Sequence, residues 1–341
     1  MKKYLLPEKA NQYKANMHCH STVSDGKLTP LQIKEAYKAN GYSIVAYTDH
    51  DVLLGHTELR DDDFLPLHGY EMEFTETDDK PTSFKKTCHL CLVALEPDNL
   101  TQVCYHRTKY AIGNGGSYRD RIVFDESEPD FEREHDPDII NNAIKKARDA
   151  GFFVTYNHPC WSLENYGDYS RYENLNAMEI YNNSCIVGGF YDYNEKEYDE
   201  MLRDGKRLFC VGGDDNHDSK PFESRRNDSF GAFTVVLAEK LEYKAVADAL
   251  LSGNFYASMG PEIRELWYED GFIHVTTSDA DRIVMHTARR STFIEYAENG
   301  AVLNHACFEV KPEFGYVRIS VFDKNCKAAN TNAYFVDELI K

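Results

Sequence analysis

The side chains most able to do chemistry are histidines and acids at His18, His20, Asp25, His50, Glu71, His89, His158, Asp215 and His217. His50 follows SIVAYTD, Glu71 follows FLPLHGY, His158 follows FFVTYN, and Asp215 and His217 follow LFCVGGD. These candidates therefore stand at or just beyond the C-terminal end of an apolar, strand-like run, and the His18-Cys19-His20 pair stands near the first such run. In a parallel α/β barrel such ends share one rim, where catalytic residues gather. Residues two apart in an extended segment face the same side, so His18 and His20 can share an ion while Cys19 points away. Mixed imidazole and carboxylate donors suit Zn, Mn or Fe, and a carboxylate can bridge two cations. Paired ions generate hydroxide near neutral pH and stabilise both attacking and leaving oxygens, so the chemistry indicated is hydrolysis. Any one of these residues alone is equally well explained as a hydrogen-bonded histidine or a surface carboxylate. Nine of them converging are not.

The elements that must position them repeat one plan: a short apolar strand, a polar turn, then a capped helix. Thr29-Pro30-Leu31-Gln32 combines an N-cap threonine, proline at the first helical position and a capping-box glutamine, and Asn40-Gly41 supplies the stop. Asp136 and Pro137 open a second helix with Ile140, Ala143, Ile144 and Ala147 on one face, closed by Ala150-Gly151 before the strand-like 152–156. Further strands are predicted over 43–47, 64–67, 90–95, 178–181, 208–211 and 233–237. This alternation predicts a parallel, barrel-like α/β domain. Residues 101–135 break the pattern with Gly113-Asn114-Gly115-Gly116 and read as an insertion or lid over the barrel mouth. From about residue 260, after a predicted helix over 241–251, the alternating segments 272–276, 283–286 and 316–321 predict a small antiparallel β domain. The expected division is 1–258 for the metallohydrolase domain and 259–341 for the β domain.

The chain of 341 residues, 42% hydrophobic, is long enough for more than one usual domain. Its formal net charge of -19 disfavours a nucleic-acid platform, which needs a basic face to displace counterions. Acidity does not exclude phosphate chemistry, because bound metal ions invert the local field. No run approaches a membrane span or a signal peptide, so a cytoplasmic location is expected. Nine scattered cysteines do not make a disulfide framework, and the CHLC pair at Cys88 and Cys91 reads as core thiols.

The strings MHCHSTVSDG, YTDHD, GYEME, CHL, YNHP and GGDDNHD, in this order, resemble the polymerase-and-histidinol-phosphatase (PHP) family over about residues 16–237. MEIYN, FTVVLAE and SGNFYASMGPEI add a weaker likeness to the PHP subgroup containing carbaryl and related metallohydrolases. The resemblance implies a distorted (β/α)7 TIM-like barrel carrying two or three divalent ions. By motif it implies His18, His20, Glu71 and Asp215 around one ion, Asp25, His50 and His217 around a second, and Glu71 bridging to a third with His89 and His158. The chain departs from the family at Asp214, commonly a serine, and at Cys19, commonly a hydrophobic residue.

The expected activity is hydrolysis of a small phosphomonoester, such as a nucleotide or sugar phosphate, by a metal-bridging hydroxide. Arg225, Arg226, Lys220, Arg119 and Arg121 are the candidate phosphate contacts, since guanidinium groups suit bidentate phosphate binding. An amide, carbamate or carboxylic ester metallohydrolase is the nearest alternative; Trp161, Tyr166, Tyr169 and Tyr181 near the ligand segments would supply an apolar pocket. A non-catalytic metal-binding regulatory module is the third. His56 and His135 are further candidates for a substrate or proton-transfer role.

Overall fold

The capped segments and apolar runs fold as their local chemistry directs. In α1 (Pro30–Ala39) Thr29 and Gln32 form the reciprocal capping box, and in α2 (Pro137–Asp149) the Asp136 carboxylate accepts from the first-turn amides. The stripe Ile140, Ala143, Ile144 and Ala147 of α2 is fully buried. Each isoleucine there contributes roughly 1.5–3 kcal/mol relative to exposure. The computed structural model describes residues 2–298 and 301–340 of a mixed α/β protein.

Its strands are β1 (Lys3–Tyr4), β2 (Asn11–Asn16), β3 (Ile44–Tyr47), β4 (Leu65–Thr75), β5 (Thr87–Ala94), β6 (Phe152–Tyr156), β7 (Ala177–Asn182), β8 (Phe209–Gly213) and β9 (Phe233–Ala238). They continue as β10 (Phe255–Ser258), β11 (Ile263–Glu269), β12 (Phe272–Ala280), β13 (Arg282–Thr287), β14 (Phe293–Tyr296), β15 (Leu303–Glu309), β16 (Tyr316–Phe322), β17 (Ala328–Thr331) and β18 (Tyr334–Phe335). The remaining helices are α3 (Tyr166–Tyr169), α4 (Asn183–Gly188), α5 (Glu195–Arg203), α6 (Tyr243–Ser252) and α7 (Val336–Leu339).

One large sheet runs β14-β13-β16-β17-β10-β9-β2-β3-β4-β5-β6-β7-β8, and β1-β11-β12-β15 form a second. The α/β class expected from the sequence holds, but the distorted (β/α)7 TIM-like barrel with parallel strands is corrected on two counts. The sheet is open, and it is mixed: β2/β3, β3/β4, β6/β7 and β7/β8 are parallel, whereas β4/β5, β5/β6 and β2/β9 are antiparallel. A parallel neighbour needs a crossover of a dozen or more residues, usually helical. The segment between β4 and β5 carries only a short 3-10 turn (Thr82–Phe84), so the chain doubles back. β8 and β9 meet without a backbone ladder: the Thr234 hydroxyl accepts from Gly212 N (3.0 Å) and donates to Gly212 O (3.0 Å).

The segment 101–135 packs on the loops that follow β2 and β3. Val23, Val52, Leu54, Tyr105, Ala111 and Ile122 form a shared apolar cluster, and buried Arg133 pairs with buried Asp51. Arg318 of β16 is fully buried and forks onto Asp199 of α5, with both bonds at 2.9 Å. That charge pair fixes the C-terminal strands against the helices of the N-terminal part.

Candidate metal centre

Strand ends and the turns after them carry seven of the nine residues; Glu71, expected at a strand end, lies within β4 because that strand runs on to Thr75, and His89 lies within β5. Asp215 N donates to His18 O (2.9 Å) and His20 N to Asn216 O (3.1 Å), which locks the segment after β2 to the segment after β8. His50 follows β3 and bridges to Glu71 within β4, His89 lies in β5 opposite Glu73, and His158 follows β6. The turn leading to Asp25 is held by Asp49, which accepts from Ser21 N (2.7 Å), Ser21 Oγ (2.8 Å), Ser24 N (3.0 Å) and Ser24 Oγ (2.7 Å).

Glu71 stands at the centre, 1% exposed. Its Oε1 lies 3.3 Å from His18 Nε2, 3.1 Å from His89 Nδ1 and 3.4 Å from His158 Nε2. Its Oε2 lies 3.3 Å from His20 Nε2 and 3.1 Å from His50 Nδ1. Asp215 Oδ1 is 3.2 Å from His18 Nε2 and 3.0 Å from His20 Nε2, and those two nitrogens are 3.1 Å apart. Four donors held at about 2.1 Å around one ion in a tetrahedron stand about 3.4 Å from one another. The His18, His20, Glu71 and Asp215 set is therefore spaced for a cation.

Two further observations fit such an ion. Glu71 Oε2 is buried and has no hydrogen-bond partner, a costly state for a carboxylate oxygen unless a cation faces it. Donor atoms also gather in overlapping groups: His20, Asp25, His50 and His217; His18, His158 and Asp215; His50, Glu71 and His89; and His18, Glu71 and Cys91. The second set implied by the family likeness gains His20. His158 groups with His18 and Asp215, whereas His89 groups with His50.

Outside these donors stands a layer that sequence reasoning did not single out. Glu179, at 1% exposure, accepts from His18 Nδ1 (2.7 Å), His158 N (3.2 Å) and Asn182 Nδ2 (2.9 Å). A carboxylate on Nδ1 places the ring proton there and leaves the Nε2 lone pair for an ion. The Asp215 carbonyl oxygen does the same for His217 Nδ1 (2.9 Å), and the Ser162 hydroxyl contacts His158 Nδ1 (3.2 Å). Asn157 Nδ2 donates to Glu71 Oε1 (2.8 Å), and Asn182 Nδ2 to Asp215 Oδ2 (3.1 Å). The available signal was an acid inside an apolar strand, Glu179 in AMEIYN.

Burial alone would lower each imidazole and raise each carboxylate, yet mutual attraction reverses this at most positions. His18 is held well above its ordinary value by Asp215, Cys91, Glu71 and Glu179, His20 by Asp215 and Glu71, and His158 is raised to about 9 by Glu71 and Asp215. Glu71, Asp215 and Asp25 sit below the usual carboxylate range because histidines surround them. His50 goes the other way, to about 4, because burial is reinforced by His20. The carboxylates thus call for positive charge at the middle of the cluster.

The backbone is bent to bring these groups together. His158 has φ 25° and Asp215 φ 53°, the left-handed region, where a non-glycine residue costs roughly 1–3 kcal/mol. Gly213 permits the closest approach: a Cβ there would stand 3.0 Å from His18 Cβ and 3.1 Å from Glu179 Oε1.

The donors open onto a cleft of about 370 Å3 whose walls include Glu73, Trp161, Ser184, Cys185 and Phe190. None of the five candidate cations lines it. Arg119 spends its guanidinium on the carbonyls of Arg107, Lys109 and Ala111, and Arg121 lies against the Tyr118 ring. Lys220, Arg225 and Arg226 are exposed on the loop beyond His217. His56 packs on Tyr47, and His135 bonds Glu164 (2.8 Å), both away from the cleft walls. Asp214 is fully buried and accepts from Tyr37 Oη (2.9 Å) and the amides of Phe230, Gly231 and Ala232, so it clamps a turn. Cys19 points away from the donors into an apolar cluster with Ile33 and Tyr37.

Several solved structures align with this chain. The chain is similar to PHP-like metal-dependent phosphoesterases. A two-domain Bacteroides vulgatus protein containing a predicted PHP-like metal-dependent phosphoesterase aligns over 98% of both chains at 14% identity and a TM-score of 0.42. A candidate metal-dependent phosphoesterase of Bifidobacterium adolescentis aligns over 62% of this chain and 91% of its own at 18% identity and a TM-score of 0.39. An amidohydrolase of Chromobacterium violaceum, with bound sulfate and no metal, aligns over 60% of this chain and 87% of its own at 16% identity and a TM-score of 0.37. No family model matches. Among curated proteins, a 5'-3' exoribonuclease of Haemophilus influenzae is 42% identical over 45 residues, which span 13% of this chain and 16% of that protein. At these scores the likeness is loose, and the metal centre stands on its own distances.

Proposed function

We propose that the chain is a metal-dependent hydrolase acting on a small phosphomonoester, with His18, His20, Asp25, His50, Glu71, His89, His158, Asp215 and His217 holding two or three divalent ions such as Zn, Mn or Fe. The observation that carries this reading is Glu71, both of whose oxygens are shared among five histidines at 3.1–3.4 Å. When bound, such ions supply a nucleophilic water near neutral pH and stabilise charge on the attacking and leaving oxygens. The protein's own contribution is to fix the donors: Glu179 sets the His18 tautomer, Ser162 orients the His158 ring, Asp49 holds the Asp25 turn, and Gly213 allows His18 to approach.

Charge bears on the substrate. Five carboxylates face or support the cleft, Asp25, Glu71, Glu73, Glu179 and Asp215. Three divalent ions would leave about +1 there and two about -1. An anionic phosphate is favoured only by full occupancy, because among the described residues the cleft walls contain no lysine or arginine. That absence, with Trp161 and Phe190 on the wall, favours a second reading: a neutral amide, carbamate or carboxylic ester. The test is phosphate release from a panel of phosphate esters by metal-loaded protein, run beside ester, carbamate and amide panels. Three ions per chain with phosphate release supports the first reading. Full occupancy with turnover of neutral substrates alone refutes it.

A further inference from the structure

A second set of ligand-type side chains gathers on the outer face of the sheet β1-β11-β12-β15. Trp267, His274 and Cys307 lie directly across from one another on β11, β12 and β15. His305 precedes Cys307 by two residues and shares its face. Leu266, Val275, Ala306 and Phe308 are buried on the inner side, which leaves this row facing outward.

The geometry is already partly set. The His274 ring stacks on Trp267 with centroids 4.9 Å apart and planes 3° apart, so its plane is fixed before any ligand arrives. His274 Nε2 stands 3.7 Å from Cys307 Sγ. A tetrahedral ion with nitrogen at about 2.0 Å and sulfur at about 2.3 Å sets these atoms about 3.5 Å apart. The exposed His305 ring lies 6.1 Å from that of His274, centre to centre. Two imidazoles on one such ion stand about 5–6 Å apart, and a rotamer change of the exposed His305 side chain is needed to complete the set, since the three donor atoms do not yet lie within 4.8 Å of one another.

We propose that His274, His305 and Cys307 form a surface metal site, separate from the cleft, that takes Zn2+ with water in the fourth position. Thiolate and imidazole donors together select a borderline-soft ion over Mg2+ or Ca2+. On binding, the Cys307 thiol gives its proton to solvent and the thiolate forms the bond to zinc; no electron is transferred. Partial burial, with His305 and Lys2 nearby, holds His274 below its ordinary value, so it is a neutral donor at pH 7. The ion would join β12 to β15 through their side chains.

Cys326, exposed in the turn between β16 and β17 and outside this row, is a built-in control. The experiment alkylates the native protein with iodoacetamide, with and without buffered micromolar Zn2+, and follows each cysteine by peptide mass mapping. Zinc is expected to slow alkylation of Cys307 by about tenfold or more and to leave Cys326 within about twofold, since the free thiolate is the reacting species. His274→Ala and His305→Ala should each abolish that protection. Equal rates at Cys307 with and without zinc, equal slowing of both cysteines, or protection that survives both histidine substitutions would each overturn the proposal.

Discussion

Replacing Glu179 by glutamine changes one atom, and its consequence can be worked out from three hydrogen bonds. Oε2 receives two donors, His158 N at 3.2 Å and Asn182 Nδ2 at 2.9 Å, while Oε1 faces His18 Nδ1 at 2.7 Å. A glutamine keeps its oxygen where two donors converge, so its NH2 turns toward His18 Nδ1. That nitrogen must then accept, and the ring proton moves to Nε2. Nε2 is the atom that stands 3.2 Å from Asp215 Oδ1 and 3.3 Å from Glu71 Oε1, so one donor to the central ion is lost. Supporting hydrogen bonds of this kind are worth about 10–100-fold in metal affinity, or roughly 1.4–2.7 kcal/mol. Competition with a chromophoric chelator on Glu179→Gln measures this directly. Circular dichroism confirms the fold, and Glu73→Gln, a cleft carboxylate outside the donor set, is the control. A Glu179→Gln protein that folds normally and keeps metal affinity within about twofold of the parent would refute the tautomer reasoning.

Gly213→Ala places a Cβ against His18 and Glu179, and overpacking of this kind costs about 1–3 kcal/mol; thermal unfolding of the metal-free protein and chelator competition should both show the loss. Arg133→Met leaves the buried Asp51 carboxylate unpaired, a loss of about 3–5 kcal/mol read in urea unfolding, with early proteolysis within 101–135. Adding Asp51→Asn, which removes the charge and tolerates the left-handed φ of 57° at this position, should recover part of that stability, and no recovery would exclude the unpaired charge as its cause. His286, mostly buried beside Arg318, is lowered from 6.5 to about 4 by burial and then by that guanidinium. The unfolded chain therefore binds the extra proton first: stability is full above pH 6.5 and falls toward pH 4, by at most about 3 kcal/mol. His286→Gln should flatten the acid limb of the stability curve over that window, and an unchanged limb would contradict the assignment.

The sequence by itself marked the candidate donors and set most of them beyond strand ends, although Glu71 lies within β4 and His89 within β5. Apolar runs ending in His50, His158 and Asp215 mark strand ends because burial ends where the ligand begins, and Thr29, Gln32, Asp136 and Pro137 mark helix starts because orphan amides need caps. Those signals are local. Whether the sheet closes is not: it depends on the antiparallel turn from β4 to β5 and on Thr234 standing where β8 and β9 would pair. The positions of Arg119, Arg225 and Arg226 away from the cleft were equally invisible, because a guanidinium's partner is chosen by loop geometry. Glu179 and His18 lie 161 residues apart, and Asp49 acts on amides of a different loop. Contacts of that kind leave no period or spacing in a chain; only the tertiary structure decides that the acid in AMEIYN sets the proton on the first histidine of the candidate metal centre.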